Sequence, residues 1–141
     1  MSYSYIEHTA DVGIRAEGVS IEETVESAAS AMLEVMFVTH SIEEKISVTF
    51  GVSAADISTL IVEVLNELLS IQDRHSLALK KLQAMGIKPV AGGFSFIGAA
   101  RGEELDLNRH EVKTEVKAAT YAGLKYESIG GLHALECVLD V

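Results

Sequence analysis

Tryptophan is absent from this chain, cysteine and proline occur once each, and only 6% of the 141 residues are aromatic. The lone cysteine, Cys137, cannot close an internal disulfide, so burial and hydrogen bonding must hold the fold, as in proteins of a reducing cytoplasm. Its alternating apolar neighbours mark it as a small core residue rather than a reactive thiol. No apolar run approaches the roughly 20 residues of a membrane helix. The opening Met-Ser-Tyr-Ser-Tyr-Ile-Glu lacks the basic start and apolar stretch of a secretion signal. A cytoplasmic location is the expectation.

Positive charge is also scarce. Eleven Lys and Arg face 21 Asp and Glu, for a formal charge of −10. Gripping nucleic acid takes clustered cations that displace counterions from phosphates, and the densest basic spot here is Lys80-Lys81. Direct nucleic-acid binding is therefore not expected, and any role in RNA metabolism should run through a protein partner. The glycine-rich phosphate loops are missing, as is the nucleophile elbow Gly-x-Ser-x-Gly. Without a nucleophile beside a positioned base, no catalytic residue is assigned and the chain reads as a non-enzyme. Zinc is disfavoured as well, because no Cys cluster or His pair stands at ligand spacing.

What is present suits one compact domain, residues 1–141. Hydrophobic content is 48% and charged content 23%, and a chain of this length buries roughly two-thirds of its unfolded surface. Residues 12–17 alternate as a half-buried strand closed by Gly18. Ser20 with Glu23 forms a capping box, and the stripe Ile21, Val25, Ala28, Ala29, Met32, Leu33, Met36 predicts a helix. Residues 44–52 alternate as a second strand. Ser53 and Asp56 open a second helix with the strongest apolar stripe in the chain, running to about residue 72. Residues 77–87 are rich in helix formers, and periodicity alone leaves them open between helix and strand. Pro89 and Gly92-Gly93 mark a turn before a strand from Phe94 to near Gly102. Residues 103–111 read as a charged loop, 112–127 as a long strand, and Gly130-Gly131 as a tight turn into a final strand, 132–140. The expected fold is α+β, with two main helices on one side of a mixed, largely antiparallel sheet.

The two ends hold the candidate chemistry. Asp11 stands at the mouth of the first long strand and Asp140 one residue before the last. The two meet if those strands end side by side. The carboxylate of Val141 would add a third anionic group. Oxygen ligands of this kind suit Ca²⁺, Mg²⁺ or Mn²⁺. The bland reading is an Asp11 in a turn and a frayed Asp140. Four further residues stay open in the same way. His8 either orients Asp11 or is a buried, satisfied histidine. Lys117 either contacts a phosphate or site carboxylate or lies on a wet sheet face. Arg109 and His110 touch a partner or belong to a solvated loop.

His8-Thr9-Ala10-Asp11-Val12-Gly13-Ile14 followed by an amphipathic helix resembles the opening of archease proteins. So does Gly102-Glu103 leading to Asp106, Arg109 and His110, then Glu115-Val116-Lys117-Ala118-Ala119-Thr120-Tyr121, and finally Asp140-Val141. The resemblance spans essentially the whole chain. It implies a strand rather than a helix over 77–87, and a divalent metal at Asp11, Asp140 and Val141. It also implies a role as accessory to an RtcB-type RNA ligase, which uses GTP and a divalent metal to join RNA ends in tRNA splicing and repair. In that family the accessory promotes the covalent guanylate on the ligase and repeated turnover. Archease-like proteins are also linked to chaperone-like modulation of a tRNA methyltransferase, without metal delivery. The chain departs from the pattern after Tyr121, where Ala122-Gly123 replaces the family's common His.

Overall fold

The structure, a computed structural model, describes residues 1–8 and 11–141, residues 7 and 8 by their backbone alone. Ten elements follow in chain order: β1 (Ser2–His8), β2 (Asp11–Gly18), α1 (Ile21–Met36), a short 3₁₀ turn (Thr39–Ser41), β3 (Ile46–Ala54), α2 (Ile57–His75), β4 (Leu77–Val90), β5 (Gly93–Glu104), β6 (Ala118–Ile129) and β7 (Leu132–Asp140). The expected single sheet is two sheets, ordered β1-β2-β7-β6 and β3-β5-β4. Every strand pairing among the described residues is antiparallel. The α+β class with two helices on antiparallel sheet is as expected. The mixed part is not found among the described residues: β1–β2, β4–β5 and β6–β7 are hairpins, and β2 and β3 pair antiparallel with β7 and β5.

Both helices start where their caps predict. The Ser20 hydroxyl accepts the Glu23 amide at 3.1 Å, and the Glu23 carboxylate accepts the Val19 amide at 3.3 Å. At α2 the Asp56 carboxylate accepts the Thr59 amide at 2.8 Å, while Ser53 belongs to β3. Each helix touches strands of both sheets. That double contact explains why the buried arc of α1 takes in Thr24, Ser27 and Ala31 beside the predicted stripe. Met32, Leu33, Leu60, Leu65 and Leu68 are fully buried between the layers, together with Ile14, Phe96 and Leu135.

Helix α2 runs three residues past its expected end and stops at Ser76, whose φ of 51° is left-handed. That conformation ends the helical path, and Leu77 to Val90 then pair with β5 in spite of their helix propensity. Leu77, Ala78, Leu79 and Leu82 are buried in the core that β4 shares with the helices. The buried Gln72 side chain accepts the Leu79 amide at 3.2 Å.

Two expectations shift. Strand β1, unassigned from sequence, pairs with β2 from Ser2↔Glu17 to His8↔Asp11. The strand expected at 112–127 is β6, Ala118–Ile129. Its missing start spends its backbone on the exit of α1: Val38 donates to the Glu111 carbonyl at 3.0 Å, and Lys113 to that of Met36 at 2.8 Å. At the β6–β7 turn Gly130 and Gly131 have φ of 60° and 81°. Two successive positive φ values make the tight hairpin that matches strand twist, and only glycine adopts them without strain.

Candidate functional site

Strand β2 begins at Asp11 and its neighbour β7 ends at Asp140. Their register runs from Gly18↔His133 to Val12↔Leu139, and one further step sets Asp11 abreast of Asp140. On the far side of β2, His8 is opposite Asp11, and on the far side of β7, Ala118 is opposite Asp140. Four strand ends thus form one row across the sheet. Side chains directly opposite in an antiparallel pair share a face. Ile14, Ala16, Leu135 and Leu139 occupy the helix-facing side. Asp11 and Asp140, in alternation with them, take the outer side. Arg15 and Glu136, joined there at 2.6 Å, mark the same outer face.

Lys117 reaches this end through its backbone, its amide donating to the Asp140 carbonyl at 2.8 Å. It is exposed and also lines a cleft of about 300 Å³ with Met36, Leu69, Gln72 and Asp73. Val141 packs partly against the core. The His8 side chain lies outside the described residues. Ala122 and Gly123 fall where β6 bulges, advancing from Thr120 to Lys125 while β7 moves only from Val138 to Glu136. Gly123, with φ of 65°, meets Ile6, Gly13 and Val138 around a shallow cavity of about 190 Å³ on the outer face.

Does this row fit a hard cation? The Asp11 and Asp140 carboxylates are oxygen donors, which is the right chemistry for Ca²⁺, Mg²⁺ or Mn²⁺. The Asp140 carboxylate forms no hydrogen bond or ion pair within the described residues. Among those residues, no three His, Cys, Asp or Glu side chains converge as a metal cluster. Asp11 and Asp140 suit a hard cation in kind, but the side chains of the described residues supply too few ligands for a closed shell.

Arg109 and His110 sit elsewhere, in a second cluster that sequence reasoning did not assemble. Their centre is Glu103, whose side chain is 5% exposed, against the 0% exposed ring of His110. One Glu103 oxygen accepts the Glu43 amide at 2.6 Å and lies 3.1 Å from His110 Nε2. The other takes the Arg109 guanidinium. His110 Nδ1 accepts the Asp106 amide at 2.9 Å, which places the ring proton on Nε2, facing Glu103. The Glu43 amide first, then His110 and Arg109, hold the Glu103 carboxyl down at about 2 against the opposing pull of burial. The stretch expected as a solvated charged loop therefore contains a buried ion cluster, and Arg109 also donates to the Ser41 carbonyl at 3.3 Å. The alternation of β5 gives no hint of this, because Phe96 and Ala100 face the core and Glu103 falls on the opposite parity, with exposed Ile97.

Cys137 is buried, and burial pushes its thiol up to about 12. It is a core residue, as expected. No helix among the described residues is long and apolar enough to cross a membrane.

Residues 3–141 match the archease protein family. The chain belongs to the archease family. The archease of Pyrococcus furiosus is 35% identical over 127 residues, spanning 90% of this chain and 89% of that protein. The archease of Methanosarcina mazei is 32% identical over 139 residues, spanning 99% and 95%. Among solved structures, Protein 1598 of Methanobacterium thermoautotrophicum superposes with a TM-score of 0.84 at 31% identity, covering 99% of this chain and 98% of that one. An archease of Thermotoga maritima, described as a possible chaperone, shares the fold at a TM-score of 0.59 and 24% identity, with coverage of 96% and 94%.

Proposed function

We propose that this archease is a non-catalytic accessory that activates an RtcB-type, GTP-dependent RNA ligase through the strand-end row of Asp11, Asp140 and Val141. The observation that carries the reading is the β2–β7 register, which sets two carboxylates abreast at one end of an outer sheet face. Ca²⁺ takes about six to eight oxygen ligands and Mg²⁺ about six, more than this row offers. Water or groups of the partner complete such a shell, so a cation held here is one that can be shared. A bound divalent ion would neutralise charge and polarise phosphoryl oxygens during guanylylation.

The chain's own residues set the stage for that. Asp11 and Asp140 present paired anionic charge, and the Lys117 amide ties down the Asp140 backbone. Lys117 also brings a cationic side chain to that end, where it lines the cleft with Met36, Leu69, Gln72 and Asp73. The net charge of −10 favours approach to a basic partner surface.

The test is guanylylation of the RtcB-type ligase from the same source, alone, with this protein, and with Asp140→Asn. The expected result is stimulation by the wild type that the variant loses. Stimulation that survives in the variant discards the metal role and keeps the partner. No stimulation at all overturns the ligase reading in favour of a chaperone-like role toward a tRNA methyltransferase, with binding that survives chelation.

A further inference from the structure

Strand β6 is an edge strand, so along its outer side the backbone has no neighbouring strand to bond. At one residue that need is met by a side chain. The Asn66 carboxamide, midway along α2, donates Nδ2–H to the Ala119 carbonyl at 3.0 Å, and its Oδ1 accepts the Ala119 amide at 2.8 Å. A carboxamide carries one acceptor and two donors on one planar group. It thereby reproduces the paired bonds that a peptide of an adjacent strand would make. Asp supplies the acceptor without the donor, and Ala supplies neither.

The position of this clamp gives it a consequence. Residues 112–117 form no strand. The start of β6 is held on its outer side by the Asn66 bonds at Ala119, and on its inner side by β7, through Lys117 and Ala118 at Asp140 and Thr120 at Val138. Each support holds the other in place. The last residue of β7 is in turn ordered by the strand beside it. Asn is a weaker helix former than Leu, Glu or Ala, and here it interrupts an otherwise strong helix, Leu65-Asn66-Glu67-Leu68. Helix propensity alone does not account for it.

We infer that Asn66 is a positioning residue for the strand-end site: by gripping Ala119 it fixes the start of β6, and through it Lys117, Asp140 and Val141. The inference rests on the strand-end reading above, yet its geometry can be tested apart from it. The experiment is amide NMR on the full chain, with hydrogen exchange and a Ca²⁺ titration followed at Lys117, Ala119, Asp140 and Val141. The proteins compared are wild type, Asn66→Ala, Asn66→Asp and Ile61→Val. Ile61→Val is a buried truncation in the same helix that leaves the Asn66 bonds to Ala119 in place, and it serves as the matched destabilisation control.

In Asn66→Ala, exchange at Ala119 and Lys117 is expected to speed up about tenfold relative to the control, as two lost hydrogen bonds release the strand end. The Ca²⁺ midpoint read at Asp140 is expected to rise by roughly the same factor. In Asn66→Asp the Ala119 amide stays protected, because the carboxylate still accepts it, while Lys117 exchange rises. Should Asn66→Ala not fold, Asn66→Asp decides alone. Exchange at Lys117 that matches the control in these variants overturns the inference. So does a wild-type Ca²⁺ midpoint in Asn66→Ala. If the wild type itself shows no Ca²⁺ response, the cation reading falls, and the exchange rates still decide the role of Asn66.

Discussion

Glu103 and Asp140 both stand at the end of a β-strand, one in the three-stranded sheet and the other in the four-stranded sheet, and their surroundings are opposites. Glu103 is buried, and its two oxygens are occupied by the Glu43 amide, His110 and Arg109. Asp140 is half-exposed, abreast of a second carboxylate, and its side chain takes no partner within the described residues. A carboxylate saturated from within ties segments together and has nothing left for a ligand. One left on an outer face contributes little to folding and keeps its oxygens for something else. An acid that holds the fold can thus be told from one left open to a ligand by counting donors.

The largest expected effect comes from removing the saturated acid. Glu103→Ala strands the buried His110 Nε2–H and the Glu43 amide, and it leaves Arg109 facing an empty site. Buried polar groups without partners are among the most damaging of single changes. Thermal unfolding followed by circular dichroism should show a larger fall in midpoint than any change at Asp11 or Asp140. An equal fall at Asp140 would break the contrast.

The same carboxylate imposes a pH dependence whose sign is fixed. Its folded pKa of about 2 lies below the ordinary 4.5, so on acidification the unfolded chain takes up the proton first. The stability it contributes is complete above about 4.5 and is lost as the pH falls from there through about 2. Urea midpoints of wild type and Glu103→Gln, compared from pH 7 down to pH 2, should converge across that window. A constant gap would mean that the clamp does not depend on charge.

How much of this contrast can be read from residues alone? Asp11 and Asp140 are visible because both flank strands with clear alternation, and a short C-terminal strand in antiparallel register brings them level. The caps at Ser20 and Asp56 and the Gly130-Gly131 turn are visible because each depends on neighbours within four residues. Glu103, His110 and Asn66 are not visible in that way. Their partners lie 60, 7 and 53 residues distant in sequence, at Glu43, Glu103 and Ala119. Nothing local distinguishes an inward glutamate from a solvated one in a stretch as charged as 101–111. The resolution of 77–90 as β4 also depends on long-range pairing with β5, which outweighs local helix preference. Strand β1 was missed because Tyr3 and Tyr5 alternate with serines over too short a span.

A middle-sized effect is expected at the exposed acid, and only when cation is present. Without it, Asp140→Asn should lie within about 0.5 kcal/mol of wild type, because one of two neighbouring like charges is removed from a half-exposed place. With free Ca²⁺ at a hundred times its dissociation constant, a single native-state site would add about 2.7 kcal/mol to the wild type. That gain should vanish in Asp140→Asn and persist in proteins altered elsewhere on the sheet. Thermal midpoints with Ca²⁺ and with chelator measure both numbers. A wild type indifferent to Ca²⁺ would remove the cation from this end of the sheet.

The smallest effect sharpens the boundary of the site. Arg15 and Glu136 share the outer face with Asp11 and Asp140, paired at 2.6 Å with side chains 34% and 30% exposed. Exposed pairs of this kind contribute about 0.2–1 kcal/mol, so Glu136→Gln should cost no more than that. Four residues of strand separate this pair from Asp11 and Asp140, about 13 Å at the usual rise. That exceeds the Debye length of about 8 Å at physiological salt. The freed Arg15 charge, still 3.6 Å from Glu17, should therefore shift the Ca²⁺ midpoint by less than about twofold. A larger shift, growing as salt is lowered, would mean that the outer face acts as one electrostatic surface. The contrast would then lie between two faces of the molecule rather than between two carboxylates.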